Sequence, residues 1–129
     1  MFESSGGLFL KVVYENKVKA EGACVHEFED EKILIIFGDN APEELADYCY
    51  TVSVNPINGS IKPGQTFKID DLALKITAVG WEAPQTLAGL GHCTFKFNGA
   101  AEPDQPGTIC IEEHDLPEVK IGSVIQILE

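Results

Sequence analysis

The amino-acid sequence predicts a mainly β fold: a single barrel-like, largely antiparallel domain with two short helices that takes in residues 1–129. Apolar and polar residues alternate along most of the chain, and a period of two is the period of a strand with one buried face. Turn residues interrupt the alternation at short intervals, so connections are short and neighbouring strands run antiparallel. About nine short strands need protected edges, which a closed or nearly closed barrel provides.

Three strands are predicted in the first third of the chain. Residues 8–16 alternate and end at a polar turn, and residues 18–28 continue as a second strand in which Gly22 marks a bulge or bend. A solvated turn is expected at residues 29–31. Residues 32–38 are continuously apolar and β-branched, which predicts a buried strand.

A first helix is predicted directly after this strand, ending near Cys49. Either Asp39 or Asn40 is placed to accept hydrogen bonds from the first free amides of the helix. Pro42 suits the first turn, and the two glutamates that follow it lie favourably at the positive end of the helix dipole.

The rest of the chain is predicted to be strands with one more helix. That helix covers residues 81–91, where Ala83, Leu87 and Leu90 share a face and glycines end the element. A hairpin is expected around Asp70 and Asp71. The remaining predicted strands are residues 49–55, 61–70, 72–80, 92–99, 108–113 and 123–129.

The charge of the chain narrows the classes of partner. The net charge is −12, and all nine positive side chains are lysine. Nucleic-acid binding relies on basic surfaces and arginine forks, so we expect neither nucleic acid nor an anionic membrane as a partner. An acidic surface suits a basic protein partner, although solubility alone also explains such a charge. The apolar runs are too short to span a bilayer and no signal peptide is recognised, so we expect a cytoplasmic protein without direct membrane insertion.

Neither a metal nor a cofactor is expected from the sequence motifs. The glycines before residue 92 precede a strand instead of a helix, so they do not form a dinucleotide-binding turn. Adjacent carboxylates such as Asp70 and Asp71 point to opposite faces of a strand and make poor acid–base pairs. No two cysteines have a CxxC spacing, so we interpret all of them as free core or near-core thiols. They are Cys24, Cys49, Cys93 and Cys110.

Two of the three histidines are predicted to be surface residues. His26 lies among acidic residues on what we expect to be a half-exposed strand, and His114 lies in an acidic loop. Neither belongs to a recognisable catalytic motif. We therefore expect both imidazoles to be solvated.

His92 is the candidate catalytic residue. It opens a predicted strand directly after Gly91, and Thr94 and Lys96 share its polar face. An imidazole, with an ordinary pKa of about 6.5, is a competent nucleophile at neutral pH, and the missing side chain of Gly91 should leave room for a phosphoryl group. The alternative is that His92 only makes a hydrogen bond at the start of the strand, and the pattern by itself favours that structural role.

Several segments together resemble one known family. The run LGHCTFKFNG at residues 90–99, followed by PGT at 106–108, resembles the glucitol/sorbitol-specific IIA component of the bacterial sugar phosphotransferase system. The segments DNAPEELADYCY, KPGQTFKI, ITAVG and IGSVIQI are similar to family segments and occur in the same order. The resemblance covers the chain from about residue 33 onward.

The resemblance implies a barrel-like phosphocarrier that works through a histidine. The histidine phosphocarrier protein (HPr) would donate a phosphoryl group, which would pass to a IIB domain of the IIB/IIC transporter during glucitol/sorbitol uptake. Because the chain has no arginine, the phosphoryl charge would be neutralised by backbone amides, by Thr94, by a lysine such as Lys96 or by the partner.

One departure from the family bears on the site. In the family that the chain resembles, a histidine shortly after the tyrosine–cysteine–aromatic run is assigned the phosphoryl group. The corresponding position here is Val52 or a neighbour, and no histidine is present. Either His92 is the active histidine or the protein is a non-carrier relative, and the intact LGH segment favours His92. The runner-up hypothesis is a regulatory barrel that binds a sugar or another small molecule, with Trp81, Tyr48 and Phe95 lining a pocket. A third is an interaction module that engages a basic partner through its acidic surface alone.

Overall fold

A computed structural model describes residues 11–129, so residues 8–10 of the first predicted strand lie outside the described part. Within it the fold is mainly β, as predicted, with two α-helices, α1 (Glu43–Ala46) and α2 (Ala83–Leu90), and a 3₁₀ helix (Val25–Glu31). The strands are β1 (Val12–Lys17), β2 (Ala20–Glu21), β3 (Ile33–Phe37), β4 (Tyr50–Thr51), β5 (Thr66–Ile69), β6 (Leu72–Val79), β7 (Cys93–Lys96), β8 (Thr108–Ile111) and β9 (Val124–Leu128).

The strands form one curled, barrel-like sheet with the order β1-β9-β5-β6-β8-β7-β3-β4-β2. The first and last strands in this order are consecutive in the sequence, since only residues 18–19 separate β1 from β2. The backbone amide of Val18 donates to the Ser123 carbonyl and that of Lys19 to the Thr51 carbonyl. One continuous segment therefore pairs with both sides of the sheet, which protects its edges.

Most neighbouring strands are antiparallel, as the short connections predict. Two pairs, β3 with β4 and β7 with β8, are parallel. A parallel pair needs a crossover of about a dozen residues, and the segments 38–49 and 97–107 supply it. The first of these crossovers contains α1.

The predicted capping of the first helix is wrong. Pro42 itself occupies the N-cap position with extended backbone angles, and no side chain caps the helix. The Asp39 carboxylate binds the Lys19 ammonium instead. The second helix begins at Ala83 and ends at Leu90. Its C-cap is Gly91, whose φ of 68° is the left-handed conformation that favours glycine at a helix end. Leu90, predicted on the buried face, is 42% exposed.

The long second strand predicted at residues 18–28 is also wrong, because only Ala20–Glu21 forms a strand and the 3₁₀ helix follows. The predicted turn at 29–31 is the end of that helix. Gly22 lies so close to the carbonyls of Ala46 and Asp47 that a Cβ atom would clash with them. At this contact the chain leaves the sheet, and the 3₁₀ helix follows. The strand predicted at residues 49–55 is likewise shorter, since β4 covers two residues.

The core lies inside the curled sheet. Phe67 packs against Phe95 and Phe97, with ring centroids 4.9 and 5.7 Å apart, and all three side chains are fully buried. Each such side chain contributes about 1.5–3 kcal/mol through burial. The predicted hairpin is confirmed as β5 and β6, with Ile69 opposite Leu72.

Candidate functional site

His92 lies directly before β7, between the end of α2 and the point where the chain enters the sheet. Its Nδ1 atom is 3.1 Å from the backbone carbonyl oxygen of Ile36 in β3. A carbonyl oxygen only accepts hydrogen bonds, so Nδ1 carries the proton and donates it. In the neutral imidazole the lone pair is therefore on Nε2, which this hydrogen bond leaves free to react.

The imidazole of His92 also stacks on the ring of Phe37, with centroids 4.3 Å apart and planes 25° apart. Phe37 is buried, whereas His92 is half-buried. Along β7, half-buried Thr94 and Lys96 share the face of His92, and Cys93 points into the core, as the alternation predicts. The hydrogen bond and the stacking together hold the ring in one orientation on the outer face of the sheet.

Gly91 has a different role from the one expected. A Cβ atom on Gly91 would lie 3.0 Å from the backbone of Gly38 and 3.2 Å from the Ser53 carbonyl oxygen. The space beside Gly91 is thus filled by protein, and the expectation that it holds room for a phosphoryl group is wrong. The missing side chain instead lets the end of α2 pack against the end of β3, which brings His92 to Ile36 and Phe37.

Lys96 is not placed to neutralise a group on His92. Its ammonium binds the Asp104 carboxylate at 2.6 Å. Lys96 is also four residues further along the chain than His92, which separates these two backbone positions by about 13 Å. Thr94 lies two residues from His92 on the same face and remains a candidate donor.

A polar cluster lies on the segments that pack against Gly91, the residue before His92, and no sequence pattern predicts it. The Lys19 ammonium binds the Asp39 carboxylate at 2.7–2.8 Å and the Ser53 hydroxyl at 3.3 Å. We call Lys19, Asp39 and Ser53 the Lys19 cluster. Its members are far apart in the sequence, and only the fold brings them together.

Val52 is fully buried and belongs to the hydrophobic core. Its amide donates to the Phe37 carbonyl, so the residue also continues the pairing of β3 with β4. Val52, one of the positions that the resemblance matches to the family histidine, is therefore a core position.

The other two histidines lie elsewhere on the surface. His26 is on the 3₁₀ helix and not on a strand, and its ring contacts the carboxylates of Glu29 and Glu21. The hydrogen bond with Glu29 is the main cause of a raised pKa of His26. His114 is exposed in a loop, with Nδ1 2.7 Å from the Asp115 carbonyl oxygen. The expected surface positions are correct, and neither imidazole joins His92.

The aromatic residues suggested for a small-molecule pocket do not share one. Phe95 is fully buried, Tyr48 packs against Phe28, and Trp81 is 72% exposed beside a shallow cleft of about 250 Å³. A larger cleft of about 820 Å³ lies between β2, the 3₁₀ helix and residues 115–121, and His92 does not line it. The pocket hypothesis built on these three residues is wrong.

The cysteines are free thiols, as interpreted from their spacing. Burial raises the pKa of Cys49 to about 11 and that of Cys93 further, so neither thiol is a ready nucleophile at neutral pH. In the described part of the chain, no three His, Cys, Asp or Glu side chains are grouped to hold a metal ion. None of the helices in residues 11–129 has the length and apolar character needed to cross a membrane.

The fold and the site define a class of protein: a small β-barrel-like domain that presents an oriented histidine on an open surface. The chain matches the family model described as the PTS system glucitol/sorbitol-specific IIA component over residues 13–126. The chain belongs to this family and is a phosphotransferase component, as the sequence resemblance implied.

Individual relatives agree with the family assignment. The chain is 30% identical over 117 residues to the glucitol/sorbitol-specific EIIA components of Shigella flexneri and Escherichia coli (strain K12), covering 91% of this chain and 95% of each relative. The crystal structure of a PTS system IIA component from Enterococcus faecalis V583 superposes with a TM-score of 0.77 at 27% identity. That likeness covers 90% of this chain and all of the Enterococcus chain.

Proposed function

We propose that residues 1–129 form a phosphocarrier domain that accepts a phosphoryl group from HPr on His92 and passes it to a IIB domain during glucitol/sorbitol uptake. The observation that carries this proposal is the hydrogen bond from Nδ1 of His92 to the Ile36 carbonyl, because it leaves the Nε2 lone pair available. Membership of the IIA family supports the direction of transfer, from a cytoplasmic donor to the transporter.

The proposed transfer needs no separate acid or base. The Nε2 lone pair of His92 attacks the phosphorus, the bond between phosphorus and the donor imidazole breaks, and the donor nitrogen keeps that electron pair. The His92 ring becomes a phosphorylated imidazolium while its Nδ1 proton stays hydrogen-bonded to Ile36. The donor ring becomes neutral, so charge and protons balance. Positioning and charge stabilisation are then the main tasks of the protein.

The surface beside His92 suits an approaching protein. Leu90 and Val54 are 42% and 45% exposed, and both contact Gly38, which packs against Gly91. These apolar side chains lie on a chain of net charge −12. An apolar contact on a chain of strongly negative net charge favours docking of a donor with a basic face.

Intact-mass spectrometry after incubation with phosphoenolpyruvate and the donor proteins tests the proposal. We expect one added phosphoryl group that is labile in acid and stable in base. His92→Ala should abolish it, whereas His26→Ala and His114→Ala, the matched controls, should retain it.

The same experiment separates the alternatives. An adduct that persists in His92→Ala would remove His92 from the reaction. A wild-type chain that gains no phosphoryl group from a donor active on another IIA component would be a non-carrier relative.

A further inference from the structure

We infer that Lys19 is the residue that neutralises the phosphoryl group on His92. This inference rests on the proposed function and assigns a role that neither the family match nor the sequence pattern gives. A phosphorylated imidazole carries a dianionic phosphoryl group at neutral pH, and such a group requires donors or cations close to its oxygens. Because the chain contains no arginine, the intramolecular cation has to be a lysine.

Two contacts place residues at or next to those that bind the Lys19 ammonium beside Gly91, the residue that directly precedes His92. Asp39 directly follows Gly38. The Gly38 backbone would lie 3.0 Å from a Cβ atom on Gly91, and Gly91 directly precedes His92 in the sequence. Ser53 makes the second contact through its carbonyl oxygen, 3.2 Å from the same Cβ position. Of the two residues that bind the Lys19 ammonium, Ser53 therefore packs against the residue before His92, and Asp39 follows the glycine that does so.

The other lysines near this side of the sheet are not suitably placed. Lys96 binds Asp104 with a side chain only 23% exposed, against 44% for Lys19, so solvent screens its ion pair less and the pair exchanges less readily. Lys32 precedes β3 at the end opposite Phe37 and binds Glu113. Lys17 lines the same cleft of about 380 Å³ as Lys19. Among the described residues, however, no ion pair holds the Lys17 ammonium in the way that Asp39 holds that of Lys19.

The ion pair of Lys19 is exposed enough for the ammonium to change partners. The side chains of Lys19 and Asp39 are 44% and 58% exposed, so solvent screens their ion pair and little free energy is lost when it breaks. A phosphoryl dianion carries more charge than the Asp39 carboxylate. In the unphosphorylated state Asp39 and Ser53 keep the ammonium nearby, and after transfer the ammonium moves to the phosphoryl oxygens.

Chemical phosphorylation with phosphoramidate tests this role without any partner protein. The bond between phosphorus and His92 Nε2 forms, the bond to the phosphoramidate nitrogen breaks, and ammonia leaves with that electron pair. The experiment uses the full chain carrying His26→Gln and His114→Gln, so that one phosphohistidine signal is followed by ³¹P NMR. The variants are Lys19→Gln, the conservative Lys19→Arg, and Lys62→Gln in an exposed turn as the matched control.

Lys19→Gln should raise the pH at which the phosphoryl group takes up a proton by roughly 0.3 pH unit or more at low salt, because a nearby cation favours the dianion. It should also lower the yield of phosphorylated chain at a fixed phosphoramidate concentration about tenfold, as expected for one lost charge-assisted hydrogen bond. Lys19→Arg should restore both values, and Lys62→Gln should change neither. A purely structural role of Lys19 would leave the protonation of the phosphoryl group unchanged.

The outcomes distinguish the two proposals. If His92 is phosphorylated and Lys19→Gln behaves as Lys62→Gln does, the role of Lys19 is overturned and the carrier function stands. If His92 gains no phosphoryl group from phosphoramidate or from HPr, the carrier function is overturned and the role of Lys19 with it.

Discussion

The hydrogen bond to the Ile36 carbonyl determines which nitrogen of His92 has a free lone pair. Ile36 is far from His92 in the sequence. The carbonyl fixes the proton on Nδ1, and stacking on Phe37 fixes the plane of the ring. A histidine at the start of a strand would otherwise rotate and exchange tautomers in solvent. At the scale of single residues, the site is therefore one imidazole with its orientation already set.

His26 offers a pH-dependence that can be measured separately from His92. Its pKa is raised, chiefly by the hydrogen bond with Glu29 and further by the charges of Glu29 and Glu21. NMR titration should place its midpoint above the ordinary value of about 6.5, and Glu29→Gln should lower it. Because the folded-state pKa is the higher one, the stabilisation is fully present below the unfolded pKa and is lost as the pH rises through the folded value. A midpoint unchanged by Glu29→Gln would contradict the assigned cause.

At the scale of elements, the hydrogen bonds of the Asn16 side chain connect β1 to the segment after β4, and we call this connection the Asn16 joint. Asn16 is 5% exposed, and its amide donates to the Tyr14 hydroxyl at 2.7 Å and the Ser53 carbonyl at 2.6 Å. Its side-chain oxygen accepts from the backbone amides of Lys17 and Ser53. This joint holds Ser53, and with it the Lys19 cluster, against the sheet.

Asn16→Ala should lower the free energy of unfolding by about 2–4 kcal/mol, since it removes several hydrogen bonds and leaves buried polar groups unpaired. Urea unfolding measures this loss. The exposed amide of Asn55, which donates to the Glu15 carbonyl, gives the matched control, and Asn55→Ala should cost less than about 1 kcal/mol. Equal losses for the two variants would show that the Asn16 joint is not specifically stabilising.

The observed strands and helices also show which parts of the fold could be predicted from local sequence signals and which could not. The β5–β6 hairpin and α2 depend on local signals, namely alternation around Asp70 and a glycine end at Gly91, and both were predicted. The 3₁₀ helix was missed because the contact of Gly22 with the α1 segment turns the chain, and that contact is non-local. The Lys19 cluster was missed for the same reason, since no pattern links positions 19, 39 and 53 before the strands are paired.

At the scale of the whole molecule, closure of the sheet and the charge of its surface act together. The segment from β1 to β2 pairs with both sides of the sheet, so few backbone groups are left for pairing with another strand. A partner must then recognise side chains. A domain of net charge −12 with exposed Leu90 and Val54 near His92 is suited to brief docking of a basic, partly apolar surface.

The proposed transfer from HPr should therefore depend strongly on salt. Raising the ionic strength from about 0.01 M to about 0.15 M shortens the screening length from about 30 Å to about 8 Å, which weakens long-range attraction between an acidic carrier and a basic donor. The second-order rate constant of phosphoryl transfer, measured by rapid quench, should fall by roughly tenfold or more over this range. Phosphorylation by phosphoramidate, a small donor that does not rely on surface steering, is the control and should change much less. Equal salt sensitivity with both donors would mean that the acidic surface does not guide the encounter and that its charge serves solubility alone.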